Sequence, residues 1–306
     1  MSRKKLIISM FLVGLVGLMA TYVGVNFQLL QDRLASRNYL PSAEISEIAN
    51  TLRLTNRGEA VFYATHPQLQ SKAEFNETCG LDGSENNYTL GCYRNGDSER
   101  IYIYNPETKI VDENGVYYDF ETDRDVTALH EMLHAVYGRL DSSEQASACD
   151  DLRIIEKDVD GLSVELEIYD ESQYCTEAFA RVGSEYLAQL GGSNSADRLK
   201  KIYGNYFEVN EGLLNSYWSN IKQSRELGDA ISDSNTALDL AKIQLHNEID
   251  DYYRNSTDEK YSNVQSHILQ YNDMVATHNS LVATARKIRD GLDSERIGTI
   301  ENYLAN

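Results

Sequence analysis

His130, Glu131 and His134 stand in the run His130-Glu131-Met132-Leu133-His134. Two histidines four residues apart lie one turn apart on the same face of a helix. Both imidazoles can then reach one ion, at about 2.0–2.1 Å each. Glu131, beside the first histidine, can hydrogen-bond a water on that ion without occupying it, and so act as general base. Zn2+ is the cofactor that suits these donors, because it acidifies its water towards a pKa of about 7 and polarises a carbonyl. The base would take the water's proton and later pass it to a leaving amine. A catalytic ion keeps one position open, so a third protein ligand is expected. Met132, Leu133, Ala135 and Val136 make the helix apolar, which predicts burial. Two imidazoles and a carboxylate in a buried place are costly unless they coordinate or hydrogen-bond something. The plainer reading is a surface helix with an incidental His-Glu-His.

The segment Ala128-Leu129-His130-Glu131-Met132-Leu133-His134-Ala135 resembles the active-site helix of the zincin metallopeptidases. The resemblance implies zinc, a hydrolytic water and cleavage of an amide bond in a peptide or protein substrate. A metzincin would carry a third histidine six residues after His134, where Leu140 stands. The gluzincin branch supplies a glutamate from a later helix instead. Glu177 is the first candidate, at the start of its helix among small and apolar neighbours. Glu185 is the alternative, and could otherwise orient a histidine. The thermolysin-like pattern places Asn before the ligand and Asp four residues after it; Thr176 and Arg181 occupy those positions here. Asp141 is a weaker third ligand and reads better as a helix cap. Tyr137, Tyr169, Tyr174 and Arg181 are candidates for holding an oxyanion. The resemblance also makes the run Arg100–Tyr104 a candidate edge strand for substrate pairing; the plainer reading is an ordinary core strand.

These groups need elements to position them. Val126, Leu129, Leu133, Val136 and Leu140 form one apolar stripe, which predicts a helix over 126–140. Further helices are expected over 142–155 and 176–190. Before them, Pro41-Ser42 reads as a helix start and Asn56-Arg57-Gly58 as its stop. Ala60–Tyr63 is a short apolar run that suits a strand or a helical turn. Arg100-Ile101-Tyr102-Ile103-Tyr104 is a strand signal. Ile110-Val111 and Val116-Tyr117-Tyr118 flank Asn114-Gly115, a hairpin cue. Beyond the Gly191–Ser195 linker, apolar residues step by three and four, with a break at 255–258. This predicts two long antiparallel helices, with His246, His267 and His278 on their seam or in solvent. The expected class is α+β: a zincin-like domain with a small antiparallel sheet, a transmembrane helix and a helical hairpin. The corresponding divisions are 1–27, 28–56, 57–192 and 193–306.

Arg3, Lys4 and Lys5 precede twenty-two uncharged residues, Leu6 to Phe27. At 1.5 Å per residue that is about 33 Å of helix, enough to cross a bilayer core. The plainer alternative is a cleaved signal peptide, whose apolar region is usually shorter, about 7–15 residues; the expected location is the membrane, single-pass, with the N-terminus cytoplasmic and the rest outside. Disulfides can form there. Four cysteines allow three pairings. Cys79 with Cys92 would close a turn-rich loop, and Cys149 with Cys175 would tie the helix after the motif to the segment before Glu177. With 28 basic against 48 acidic residues, the net charge of −20 disfavours nucleic acid as a partner. The rival to the hydrolase is a membrane-tethered scaffold with a silent zincin fold, binding a protein partner or a second copy through its C-terminal helices.

Overall fold

The computed structural model describes residues 27–79, 90–96, 98–106, 109–111 and 117–292. The described residues fall into two compact units. One is drawn from residues 1–79, 91–104 and 125–213, the other from 80–90, 105–124 and 214–306.

In the first unit, Ser42 caps helix α1 (Ala43–Thr51) by accepting from the Ile45 N–H at 3.2 Å. The helix buries Ile45, Ile48 and Ala49. Thr55 caps α2 (Asn56–Ala64) by accepting from the Gly58 N–H. The run Ala60–Tyr63 is therefore helical, and Asn56-Arg57-Gly58 opens a helix instead of closing one. The cap at Thr55 satisfies orphan N–H groups of that first turn.

Three short strands follow. β1 (Gln68–Gln70) pairs parallel with β3 (Arg100–Tyr104), and β3 pairs antiparallel with β2 (Gly91–Arg94). The order is β1-β3-β2, so Arg100–Tyr104 is the central strand, an ordinary core strand and not the substrate-pairing edge that the zincin resemblance implies. Its Ile101 and Ile103 are fully buried. Helix α3 (Lys72–Cys79) sets Phe75 against Tyr104, and its last residue forms a disulfide with Cys92 of β2.

Helix α4 (Phe120–Arg139) carries the His-Glu-His run. Asp141 opens α5 (Ser142–Ile155) through a capping box with Glu144. The Cys149–Cys175 disulfide joins α5 to α7 (Glu171–Arg181), with the short α6 (Leu162–Leu166) between them. After Arg181 the chain widens into a π turn, Val182–Tyr186. Helix α8 (Asn194–Tyr203), capped by Ser193, follows.

The second unit holds a two-stranded ladder, β4 (Lys109–Val111) with β5 (Tyr117–Asp119). The Asn114-Gly115 turn lies outside the described residues. Two long helices complete it, α9 (Glu211–Arg254) and α10 (Asp258–Leu292). Contacts of Asp251 with Lys260, Glu248 with His267 and Ser234 with His278 nest one inside the next, which makes the pair antiparallel.

Two expectations are corrected. The described residues are mostly helical, and among them strands of three to five residues form only a three-stranded sheet and a two-stranded ladder, so the α+β zincin-like class with a transmembrane helix is overturned. The strand cues were local and said nothing of how little of the chain would pair. Among the described residues no helix is long and apolar enough to cross a membrane. The single-pass membrane location is corrected accordingly. The uncharged run at residues 6–27 that suggested it lies, Phe27 apart, outside the described residues. Both disulfides are of the kind formed in an oxidising compartment.

Candidate metal centre

The core face of α4 is packed by Ala128, Leu129, Met132, Leu133, Ala135 and Val136, each buried. This packing holds the helix still while His130 and His134, one turn apart, lean to one side. Their Nε2 atoms lie 3.1 Å from each other. The Glu177 carboxylate, two turns into α7 from its Asp170 cap, comes to the same point. Its Oε1 is 3.3 Å from His130 Nε2 and its Oε2 is 3.4 Å from His134 Nε2. One donor atom from each of His130, His134 and Glu177 lies within 4.8 Å of the others, so the three can hold a metal ion.

Each imidazole keeps its second nitrogen for a protein group. His134 Nδ1 is 3.2 Å from the Thr176 hydroxyl, and His130 Nδ1 is 3.9 Å from Glu185 Oε1. Such partners orient metal-ligating histidines. Glu185 stands eight residues after Glu177, which in an unbroken α-helix is a neighbouring face. The π turn adds a residue to the turn and rotates Glu185 back towards Glu177's side. That turn packs so closely that a Cβ on Gly183 would meet Leu133 Cδ1 at 2.5 Å and Tyr203 Cε1 at 2.6 Å.

Arg181, one turn after Glu177, balances these acids. Its guanidinium lies 3.2 Å from Glu177, 3.3 Å from Glu165 and 3.7 Å from Glu185, and it donates to the Tyr169 hydroxyl at 3.4 Å. A group so engaged positions carboxylates and is not free to meet an oxyanion. Tyr137 donates to the Gln145 carbonyl and packs on Phe179, and Tyr174 is bound to Glu156. Asp141 is spent on its helix cap.

Glu131 is only 4% exposed and points to strand β2. It accepts from the Tyr93 backbone N–H. A Cβ on Gly91 would stand 2.7 Å from Glu131 Cγ and 2.6 Å from a Thr127 methyl, so the strand approaches this closely only because residue 91 is glycine. The Tyr93 ring lies parallel to that of His134, with centroids 6.4 Å apart. Gly91 and Tyr93 were not foreseen. Nothing in the sequence links them to helix residues about forty positions later, although the i,i+4 spacing of Glu177 and Arg181 does announce an ion pair.

The electrostatics follow from burial and neighbours. Burial pushes the Glu131 carboxyl up, and the two imidazoles only partly oppose it. Burial also acts on Glu177, but His130 and His134 outweigh it and hold that carboxyl far below the usual range. For His130 burial lowers the pKa, yet the charge and hydrogen bond of Glu177, with Glu131, leave it above the ordinary value. Three buried carboxylates thus gather round two imidazoles and one guanidinium, an arrangement that a divalent cation suits.

Comparison of the chain with protein-family models, with curated proteins and with solved structures finds no match.

Proposed function

We propose that the protein is a zinc-dependent hydrolase of peptide bonds, with His130, His134 and Glu177 as ligands and Glu131 as general base. The observation that carries this reading is the convergence of the donors: the two Nε2 atoms lie 3.1 Å apart, Glu177 Oε1 is 3.3 Å from one and Glu177 Oε2 is 3.4 Å from the other, and one ligand atom from each residue lies within 4.8 Å of the rest. A tetrahedral ion with donors at 2.0–2.1 Å has edges of about 3.3–3.4 Å. Two neutral nitrogens and a carboxylate are also the donor chemistry of catalytic zinc sites. Three protein donors leave one position for a reactant.

Zinc bound there supplies a Lewis acid and an acidified water. The chain's own residues do the rest. Glu131 lies next to the first ligand, not in the donor triangle, so its carboxylate remains able to accept a proton. Its raised pKa brings it closer to working pH, where a base both takes and returns a proton efficiently. The Thr176 hydroxyl holds the His134 imidazole in orientation, Glu185 stands 3.9 Å from His130 Nδ1, and Arg181 pairs with both Glu177 and Glu185. Tyr93 covers the His134 ring and walls one side of the site.

The test is metal content and peptide cleavage in the unaltered chain and in Glu131→Gln. Zinc should stay at one equivalent in both, while cleavage falls by about 10²–10⁴-fold in the variant. Zinc retained with no cleavage by either form would leave a structural metal site, and the scaffold reading would take its place.

A further inference from the structure

We propose that Arg94 and Arg100 form a binding site for a carboxylate of an extended peptide lying beside strand β2. The choice of a peptide as ligand rests on the hydrolase reading, and the site itself rests on the following geometry.

The two arginines are directly opposite one another in the antiparallel pair of β2 and β3. Like charges in that position repel. Among the described residues neither guanidinium has a carboxylate partner. Glu99, the acid nearest in sequence to Arg100, is engaged by the Arg139 guanidinium at 2.6 Å. Asp97 lies outside the described residues. This is a local cationic spot in a chain of net charge −20.

The strand's two faces do different things. Gly91 and Tyr93 face α4, where they meet Glu131 and His134. Side chains alternate along a strand, so Cys92 and Arg94 face the other way. On that second face α3 covers Tyr104 with Phe75 and binds Cys92 through Cys79. The cover stops there. What remains open is a recess of about 370 Å³ lined by Arg94, Asn95, Gly96, Ser98, Arg100 and Tyr102. Its wall is two guanidiniums, an amide, a hydroxyl and a phenol, which are donors suited to a carboxylate.

Among the described residues β2 is an edge strand. A peptide running beside it, at a strand spacing of about 4.8 Å, turns alternate side chains to the two faces. One series then faces His134 and Glu131, and the other faces Arg94. A glutamate or aspartate in the second series, or a C-terminal carboxylate, enters the recess without disturbing the bond held at the metal face.

The experiment uses the full chain carrying Glu131→Gln, so that bound peptide is not consumed, and reads fluorescence anisotropy. The probes are labelled, C-terminally amidated peptides of matched sequence with one Glu or one Gln scanned through the positions. A third probe has Gln only and a free C-terminus. At its best position the Glu peptide should bind about tenfold tighter than its Gln twin, the worth of a charge-assisted hydrogen bond. The gap should close in Arg94→Gln/Arg100→Gln and persist in part in Arg94→Lys/Arg100→Lys. The free C-terminus probe tells a terminal from a side-chain carboxylate. Equal binding of all probes, no binding of any, or a gap that survives the double Gln variant overturns the proposal. Tighter binding of the acidic peptide by a chain that cleaves nothing would sink the hydrolase reading alone; cleavage without a charge preference would sink only this site.

Discussion

Histidines meet acids in two regions of this protein, with different results. In the first unit, two nitrogens of His130 and His134 and the Glu177 carboxylate converge, on side chains only 11–16% exposed. In the paired helices of the second unit, His267 meets Glu248, His278 meets the Ser234 hydroxyl, and His246 stands 3.8 Å from Asp250 while 76% exposed. Each of those imidazoles has one partner, and no third donor converges on it among the described residues. A histidine beside an acid is common on a helix surface. A metal centre needs convergence and burial together, and only the first region supplies both.

The sharpest way to break this comparison is to exchange histidines for alanine in each region. His134→Ala should abolish stoichiometric zinc, because two donors remain, while His267→Ala should leave zinc content unchanged by elemental analysis. Equal loss in both would erase the distinction.

Acidity comes next. His130 is held above the ordinary histidine value by Glu177 and Glu131, so protons compete with the metal further up the pH scale than for a free imidazole. Protonation removes a ligand, so the sign is loss of affinity as pH falls. Glu177 stays ionised well below that range and contributes nothing there. Zinc affinity, measured by competition with a chromophoric chelator, should fall by about tenfold per pH unit for each ligand protonated on going from about pH 7.5 to 5.5. An affinity that does not change would remove His130 from the ligand set.

A smaller effect separates ligand from orienting group. Glu185→Gln should weaken zinc by about 10–100-fold, as outer-shell partners do, and less than Glu177→Gln does. The reverse order, in the same competition assay, would make Glu185 the third ligand. Last, Gly183→Ala should destabilise the fold by about 1–3 kcal/mol in a denaturant titration, since its Cβ would strike Leu133 and Tyr203. An unchanged midpoint would mean that the π turn is not held by that contact.

Much of the site could be read in advance because its parts are local. Spacing of four on a helix puts His130 and His134 on one face whatever surrounds them, and the two cysteine pairs were among three simple choices. Glu177 comes ahead of Glu185 on its small and apolar neighbours, but where Glu185 points is not legible, since an α-helical wheel misplaces a residue inside a π turn. The five residues of strand β3 leave edge and core placement open, because they say nothing of a neighbour on each side. Ala60–Tyr63 went to a helix because the cap at Thr55 acts on backbone groups that an apolar pattern ignores.

Residue order alone therefore determined the helix that bears two imidazoles with a carboxylate between them, and the antiparallel course of the long C-terminal helices. Tertiary packing decided which distant glutamate meets those imidazoles, that Gly91 and Tyr93 of a short strand close over Glu131, and that Arg94 and Arg100 face one another in the open. The reason is range. Helical periodicity follows from bonds and backbone hydrogen bonds within a few residues, whereas a centre made from residues 93, 130, 134 and 177 exists only once burial of apolar faces has brought separate segments together.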